Sequence, residues 1–158
     1  MEGERRPIVL HDDEGRTEVA QVKRVIKADG RLTDGRLSLA VVTGGLDFAG
    51  PARHRHLRND EAFIVLEGEL RFLIGDEEVD VGPGAFLYAP AGVTHAFTNR
   101  GGTTTKMIVM FCPADFEGYF QELAALRAEG TRSPEKVAAL QRKYGMEVVG
   151  PPLGANDA

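Results

Sequence analysis

Between residues 17 and 112 the hydrophobic positions come in short runs or alternate with polar ones. Gly and Asp-Gly pairs interrupt them at intervals of roughly 8–12 residues. A period of two is the signature of strands. Residues 19–27 and 36–43 flank Asp29-Gly30 and Asp34-Gly35 and are predicted to be antiparallel strands joined by a short loop. Residues 62–66 and 70–74 flank Glu67-Gly68-Glu69 and read as a second hairpin. Residues 78–81 alternate, and Gly82-Pro83-Gly84 turns the chain into residues 85–89. Residues 94–98 and 103–111 enclose Asn99-Arg100-Gly101-Gly102, which reads as another turn of the same kind. Even spacing of this sort predicts a sandwich or a closed barrel.

After Pro113 the period changes to about 3.6. Phe116, Tyr119, Phe120, Leu123 and Leu126 form an apolar stripe, with Asp115 placed to cap a helix. Ser133-Pro134 starts a second helix striped by Val137, Leu140 and Tyr144, and Gly145 is placed to end it. Packing against the sheet is the expected use of the aromatic stripe. The final residues, 146–158, contain Gly150-Pro151-Pro152 and are predicted to be irregular.

A chain of 158 residues with 42% hydrophobic content supports one core. Residues 1–112 are expected to form a barrel with N-terminal strands, and residues 113–158 a helical extension packed on it. Nineteen basic against 24 acidic residues give a net charge of -5, which excludes nucleic acid as an expected partner. Arg53, Arg55 and Arg58 then read as a solvated strand face rather than a basic patch. The N-terminus lacks the apolar stretch of a signal peptide, so a soluble, cytoplasmic protein is expected. Residues 81–99, the longest stretch without a charged side chain, contain three glycines and two prolines and cannot be a membrane helix. Cys112 is the only cysteine, which excludes an intramolecular disulfide and a cysteine zinc cluster. It lies in an apolar run and is expected to be a small buried hydrophobe.

The candidate chemistry lies in three of the four histidines and one carboxylate. His54 and His56 are two apart, so on a strand both imidazoles project from one face, about 7 Å apart along the chain. Glu61 has the wrong offset for an uninterrupted strand. A turn through Leu57-Arg58-Asn59-Asp60 would let it open the next strand and face back in. His95 follows the turn Pro90-Ala91-Gly92 and begins another strand, with Phe97 and Asn99 on the same face. Three imidazoles and a carboxylate suit Fe, Mn, Co, Ni, Cu or Zn, whereas Mg or Ca would take more oxygen.

These residues resemble the two sequence motifs of the cupin family. The first runs from Gly50 through His54, His56 and Glu61 to Gly68, and the second through Gly84, Pro90, Gly92, His95 and Asn99. The second is complete. The first departs at its leading glycine, where this chain has Phe48, and Gly50 supplies similar turn flexibility two residues later. The acidic residue often found after the second motif's first glycine is Ala85 here. The resemblance implies an all-β fold, a small cupin β-barrel or jelly roll with two C-terminal helices. It also implies one divalent transition-metal ion held by His54, His56, Glu61 and His95, with positions left for water or substrate.

The single barrel followed by Pro113-Ala114-Asp115-Phe116 and two helices is similar to monocupin quercetin 2,3-dioxygenase-like proteins. That similarity implies a metal-dependent dioxygenase acting on a small chelating aromatic or enol-type substrate, with Glu61 also the base. The alternatives are a non-catalytic small-molecule-binding cupin and isomerase, lyase or decarboxylase chemistry at the same ion. Phe63, Val65 and Phe97 stand at period two from the ligands and are expected to line the substrate pocket or fill the core. No inward Lys/Arg pair is evident within the motifs, which favours an apolar pocket. A homodimer is a further expectation from the resemblance, since cupins often pair through sheet edges.

Overall fold

Alternating segments pair into two antiparallel sheets that face one another. In the computed structural model, which describes residues 7–12, 14–19 and 22–156, the chain runs β1 (Arg16–Val19), β2 (Val22–Ala28), β3 (Ser38–Gly44), β4 (Ala52–His56), β5 (Asp60–Glu67), β6 (Leu70–Ile74) and β7 (Glu77–Val81). It continues through β8 (Phe86–Ala89), β9 (His95–Asn99) and β10 (Thr105–Cys112) to helices α1 (Glu117–Ala128) and α2 (Pro134–Lys143), and ends in β11 (Met146–Pro152) and a 3-10 turn at Leu153–Asn156. One sheet has the order β1-β2-β3-β10-β5-β8 and the other β11-β4-β9-β6-β7. Phe63, Val65, Leu70 and Phe72 fill the space between the sheets with no exposed surface. Burial on that scale is the main stabilising term of the fold. This is the all-β barrel architecture with two helices after it that the sequence predicts.

The β2–β3 hairpin forms as expected. Asp29 initiates its loop by accepting the Arg31 and Leu32 amides at 3.1 Å each, a side-chain mimic of a backbone turn. Two other expected hairpins do not form. β5 pairs with β10 and β8 while β6 pairs with β7 and β9, so Glu67-Gly68-Glu69 carries the chain from one sheet to the other. Residues 99–102 likewise carry it from β9 in one sheet to β10 in the other. Gly68 has φ +79°, and a Cβ there would meet the Thr104 carbonyl oxygen at 2.6 Å. A glycine turn of positive φ looks the same in sequence whether the strands pair locally or separate.

The last segment also differs from expectation. Residues 146–152 form a strand, with Met146 opposite His56, Glu147 opposite Arg55 and Val148 opposite His54. Arg55 reaches Glu147 at 2.7 Å, so the outer face of β4 is partly paired rather than simply solvated. The register shifts at Gly150 and Pro152, and β11 lies at a sheet edge, where proline is tolerated.

The helices pack on the same core. Phe116 and Tyr119 are buried, and Phe120, Leu123 and Leu126 are half-buried against the cluster. Ser133 caps α2 by accepting the Lys136 amide at 3.3 Å. Asp115 does not cap α1: its carboxylate accepts instead from Asn59 Nδ2 at 2.8 Å. Cys112 is exposed, not buried, because it ends β10 on the outward register. Among the described residues no helix is long and apolar enough to cross a membrane.

Gly50 sets the entry to β4. Its φ is +79°, and a Cβ would fall 1.5 Å from the Phe97 carbonyl oxygen of β9. Gly75 has a similar φ of +61° with open space around it. Gly50→Ala should therefore destabilise the protein by about 3 kcal/mol or more and lower the melting temperature by roughly 10 °C. Gly75→Ala should lose only the conformational term, about 1 kcal/mol. Melting curves of the two variants beside wild type check the difference, and equal losses would contradict the close approach at Gly50.

Candidate metal centre

Strand pairing brings the histidines together. His54 of β4 lies directly opposite His95 of β9, and His56 follows on the same face of β4. Their rings lie 4.5 to 5.3 Å apart between centroids. Glu61 arrives from the other sheet, near the start of β5, where it is flanked by Phe111 of β10 and Ala89 of β8. The turn expected between His56 and Glu61 is present and anchored on several sides. Asn59, almost wholly buried, donates to the Pro113 carbonyl at 2.8 Å, and the Leu57 amide donates to the Gly145 carbonyl at 2.7 Å. Asp60 accepts the Ala91 amide at 2.8 Å, which joins this turn to the one before His95.

All four side chains are buried, and one ligand atom from each lies within 4.8 Å of the others. Glu61 Oε2 is 2.7 Å from His95 Nε2 and 3.0 Å from His56 Nε2. The Nδ1 atoms of His54 and His95 face the backbone carbonyls of Ala52 and Val93 at 2.7 and 3.0 Å. An N–H at Nδ1 satisfies each contact, which leaves the Nε2 of both rings to face the centre. His56 is held edge-on by Phe116 at 4.2 Å and by Phe111 at 5.3 Å between ring centroids. Its Nε2 meets Glu61 Oε2 at 3.0 Å, whereas its buried Nδ1 has no hydrogen-bond partner among the described residues. A buried imidazole nitrogen without a partner is an unusual cost. The donor set and its convergence fit a transition-metal ion.

Electrostatics follow the same geometry. Burial pushes the Glu61 carboxyl up, but the charge of His95 and the contacts with His56 and His95 outweigh it and hold the group well below the usual carboxylate range. Burial pulls His95 down, and the charge and hydrogen bond of Glu61 more than reverse this, leaving its pKa raised. His54 is pushed down to about 4, chiefly by burial and then by the charge of His95.

A cavity of about 420 Å³ opens onto the cluster, within the roughly 300–1,000 Å³ of small-molecule sites. His54, His56, Glu61 and Phe97 line it, while His95 is not part of the wall. Phe63 and Val65 are not in the wall either: they are fully buried in the core, where Phe63 packs on Phe72, Phe97 and His95. They fall on the face that points between the sheets, so period two alone did not separate core from cavity. Arg24 of β2 is in the wall, together with Arg127 and Arg132, so the cavity is not free of cations as the motifs alone suggested. The signal for Arg24 was its place between the buried Val22 and Ile26 at period two.

The family model described as a cupin domain matches residues 41–111. The chain has the cupin fold. The chain is 30% identical over 119 residues to quercetin 2,3-dioxygenase of Bacillus subtilis, a match that covers 74% of the chain but 34% of that relative. The chain thus spans about a third of the length of the curated relative it matches. It superposes with a TM-score of 0.59 on an RmlC-like cupin from Shewanella frigidimarina, at 19% identity over 69% of this chain and 93% of that one. The polyketide cyclase RemF from Streptomyces resistomycificus matches with a TM-score of 0.59 at 20% identity, over 68% of this chain and 80% of its own. These two likenesses concern the fold. A buried His, His, Glu, His cluster in a cupin is one that can bind a metal ion.

Two outcomes test the centre. Metal analysis by inductively coupled plasma mass spectrometry should find near-stoichiometric transition metal in the wild type, with affinity at least about 100-fold lower in His54→Ala and His95→Ala. Equal occupancy in all three proteins would contradict the site.

In the metal-free protein, the lowered His54 favours folding above its unfolded value near 6.5, and that stability is lost as pH falls toward about 4, by on the order of 3 kcal/mol. The raised His95 acts in the opposite sense: its contribution is full below 6.5 and is lost as pH rises through its folded value. Melting temperature with chelator should therefore peak near neutrality, and His54→Gln should flatten the acid side.

Proposed function

We propose that this cupin is a metal-dependent dioxygenase acting on a small chelating aromatic or enol-type substrate, with Glu61 as the base. The observation that carries the reading is the division of labour at Glu61. Its Oε2 meets the two histidine nitrogens, while its Oε1 takes no hydrogen bond among the described residues and the side chain borders the cavity. One oxygen is thus engaged with the cluster and the other is available to a substrate hydroxyl proton. The 30% identity to a quercetin 2,3-dioxygenase supports the same class of substrate, whose adjacent hydroxyl and keto oxygens form a chelating edge.

An ion held by His54, His56, Glu61 and His95 would supply Lewis-acid and redox chemistry toward such an edge and dioxygen. The protein's own part is positional. Phe48, Phe97 and Phe111 line the cavity with apolar rings suited to an aromatic ligand, and Phe97 and Phe111 are themselves buried. The Ala52 and Val93 carbonyls hold two imidazoles in one tautomer, and Phe116 restrains the third. A second reading, proton transfer without oxygen as in an isomerase or lyase, is favoured by Arg24, Arg127 and Arg132 in the wall, which suit a more polar substrate.

Oxygen uptake by the metal-replete protein with quercetin separates the two. Uptake is expected, and its absence at full occupancy with Fe, Mn, Co or Ni would overturn the dioxygenase reading. Glu61→Gln should lower turnover by about 100-fold or more while most of the metal is retained by the three histidines. A parallel fall of occupancy and turnover would make Glu61 a ligand only.

A further inference from the structure

The two sheets differ in what they show to solvent. The five-stranded sheet carries ion pairs on its outer face, Arg55 with Glu147 and Arg71 with Asp80, each at 2.7 Å. The six-stranded sheet carries hydrophobic rows instead. Cross-strand partners place Val25, Val41, Ile108, Ile64 and Phe86 in one outward row through β2, β3, β10, β5 and β8. The next outward row is Leu39, Met110, Ala62 and Tyr88. None of these positions is charged, whereas an antiparallel sheet with one face in water normally alternates apolar with polar side chains. A continuous apolar band of this kind marks an interaction surface.

The band is covered at one end and bare at the other. Lys27 Nζ donates to the carbonyls of His11, Asp12 and Glu14 at 2.6 to 2.7 Å, and Lys106 Nζ lies 3.5 Å from Asp12 Oδ1. The chain that enters β1 is thereby tied down over the β2 end. Gly15 sits on Val25 there, since a Cβ would fall 3.2 Å from Val25 Cγ1, and Val25 is buried although it faces outward. At the far end, on the edge strand β8, Phe86 and Tyr88 are 63% and 47% exposed. Tyr88 donates its hydroxyl to Asp60 at 2.5 Å, so its ring offers an apolar face. Ahead of the tied segment, Ile8, Val9 and Leu10 stand 47%, 79% and 39% exposed, outside any helix or strand.

We infer that the outer face of the six-stranded sheet binds a second copy of the chain about a twofold axis along the strands, with the Ile8–Leu10 arm of each copy lying across Phe86 and Tyr88 of the other. Such a rotation sets the covered β2 end of one copy over the bare β8 end of its partner, so the surface is complementary to itself. The available area agrees. At roughly 200 Å² for a fully exposed side chain of this size, the exposed parts of Ile8, Val9, Leu10, Leu66, Phe86 and Tyr88 amount to about 600 Å² per copy. The half-buried rows between them bring this toward the roughly 800 Å² per partner of a stable interface. Lys27 and Lys106 border the band, and both already have partners within their own chain, so closure leaves neither charge stranded. The contact uses a sheet face rather than a sheet edge, and it stands apart from the chemistry proposed for the metal centre.

Sedimentation velocity of the full chain tests the face, and a dimer is expected at about 10 µM and above. Phe86→Asp should raise the dissociation constant at least about 100-fold with the circular dichroism spectrum unchanged. Val9→Asp, in a segment without regular structure, should raise it at least about 10-fold, and it decides the matter alone if Phe86→Asp does not fold. Val149→Asp, at a position 49% exposed on β11 of the other sheet, should leave the dimer intact. In a Cys112→Ser background, a short bis-maleimide should join mixed Val9→Cys and Phe86→Cys chains into a two-chain species, and neither variant by itself. Wild type that stays monomeric at about 100 µM, or a dimer that survives both Phe86→Asp and Val9→Asp, overturns the inference. So does a dimer lost only in Val149→Asp, which would indicate pairing through the β11 edge. A cross-link that forms only within one doubly substituted chain would lay the arm on its own sheet and overturn the exchange.

Discussion

Glu61 is an ionised carboxylate buried between two sheets, and its burial is tolerable only while the imidazoles of the opposite sheet surround it. Removing a carboxylate from water without compensation costs several kcal/mol even after relaxation. Here the carboxylate comes from β5 of the six-stranded sheet and the histidines from β4 and β9 of the five-stranded one. The two sheets are therefore tied at one end by charge and at the centre by Phe63, Val65, Leu70 and Phe72. Asn59, the Ala52 and Val93 carbonyls and Phe116 all serve this arrangement, since each restricts a ligand or the turn that carries it.

Much of the site was legible in the sequence because its constraints are local. His54 and His56 need only a strand to share a face, and Glu61 needs only the turn that Asn59 and Asp60 announce. The helices were legible for the same reason, through the Ser133 cap and the apolar stripe of α1. Features set by distant partners were not. Gly68 marks a turn in either topology, and only the pairing of β5 with β10 decides that the chain changes sheet. Gly150-Pro151-Pro152 reads as irregular, yet cross-strand partners on β4 hold it extended. Asp115 has the composition of a cap, but Asn59, in the turn before the neighbouring strand β5, competes for its carboxylate. Arg24 has the composition of a solvated strand residue and lies instead under Phe120.

The cavity combines a charged end and aromatic walls with cations contributed from outside the two motifs. Its floor is set by the residues that make the fold recognisable as a cupin, and its side by β1, β2 and the helices, which lie outside residues 41–111. Related barrels can therefore share a floor and differ in what they accept. This separation explains how a polyketide cyclase and an RmlC-like cupin share the backbone while nothing about their substrates carries over from that likeness.

The pairing of β11 with β4 has a consequence for biosynthesis. β4 carries two of the three histidines, and its outer edge is covered by the last strand of the described chain to be translated. Until β11 has docked, that edge presents free backbone groups. A nascent protein stalled before β11 would therefore expose a strand edge to other chains.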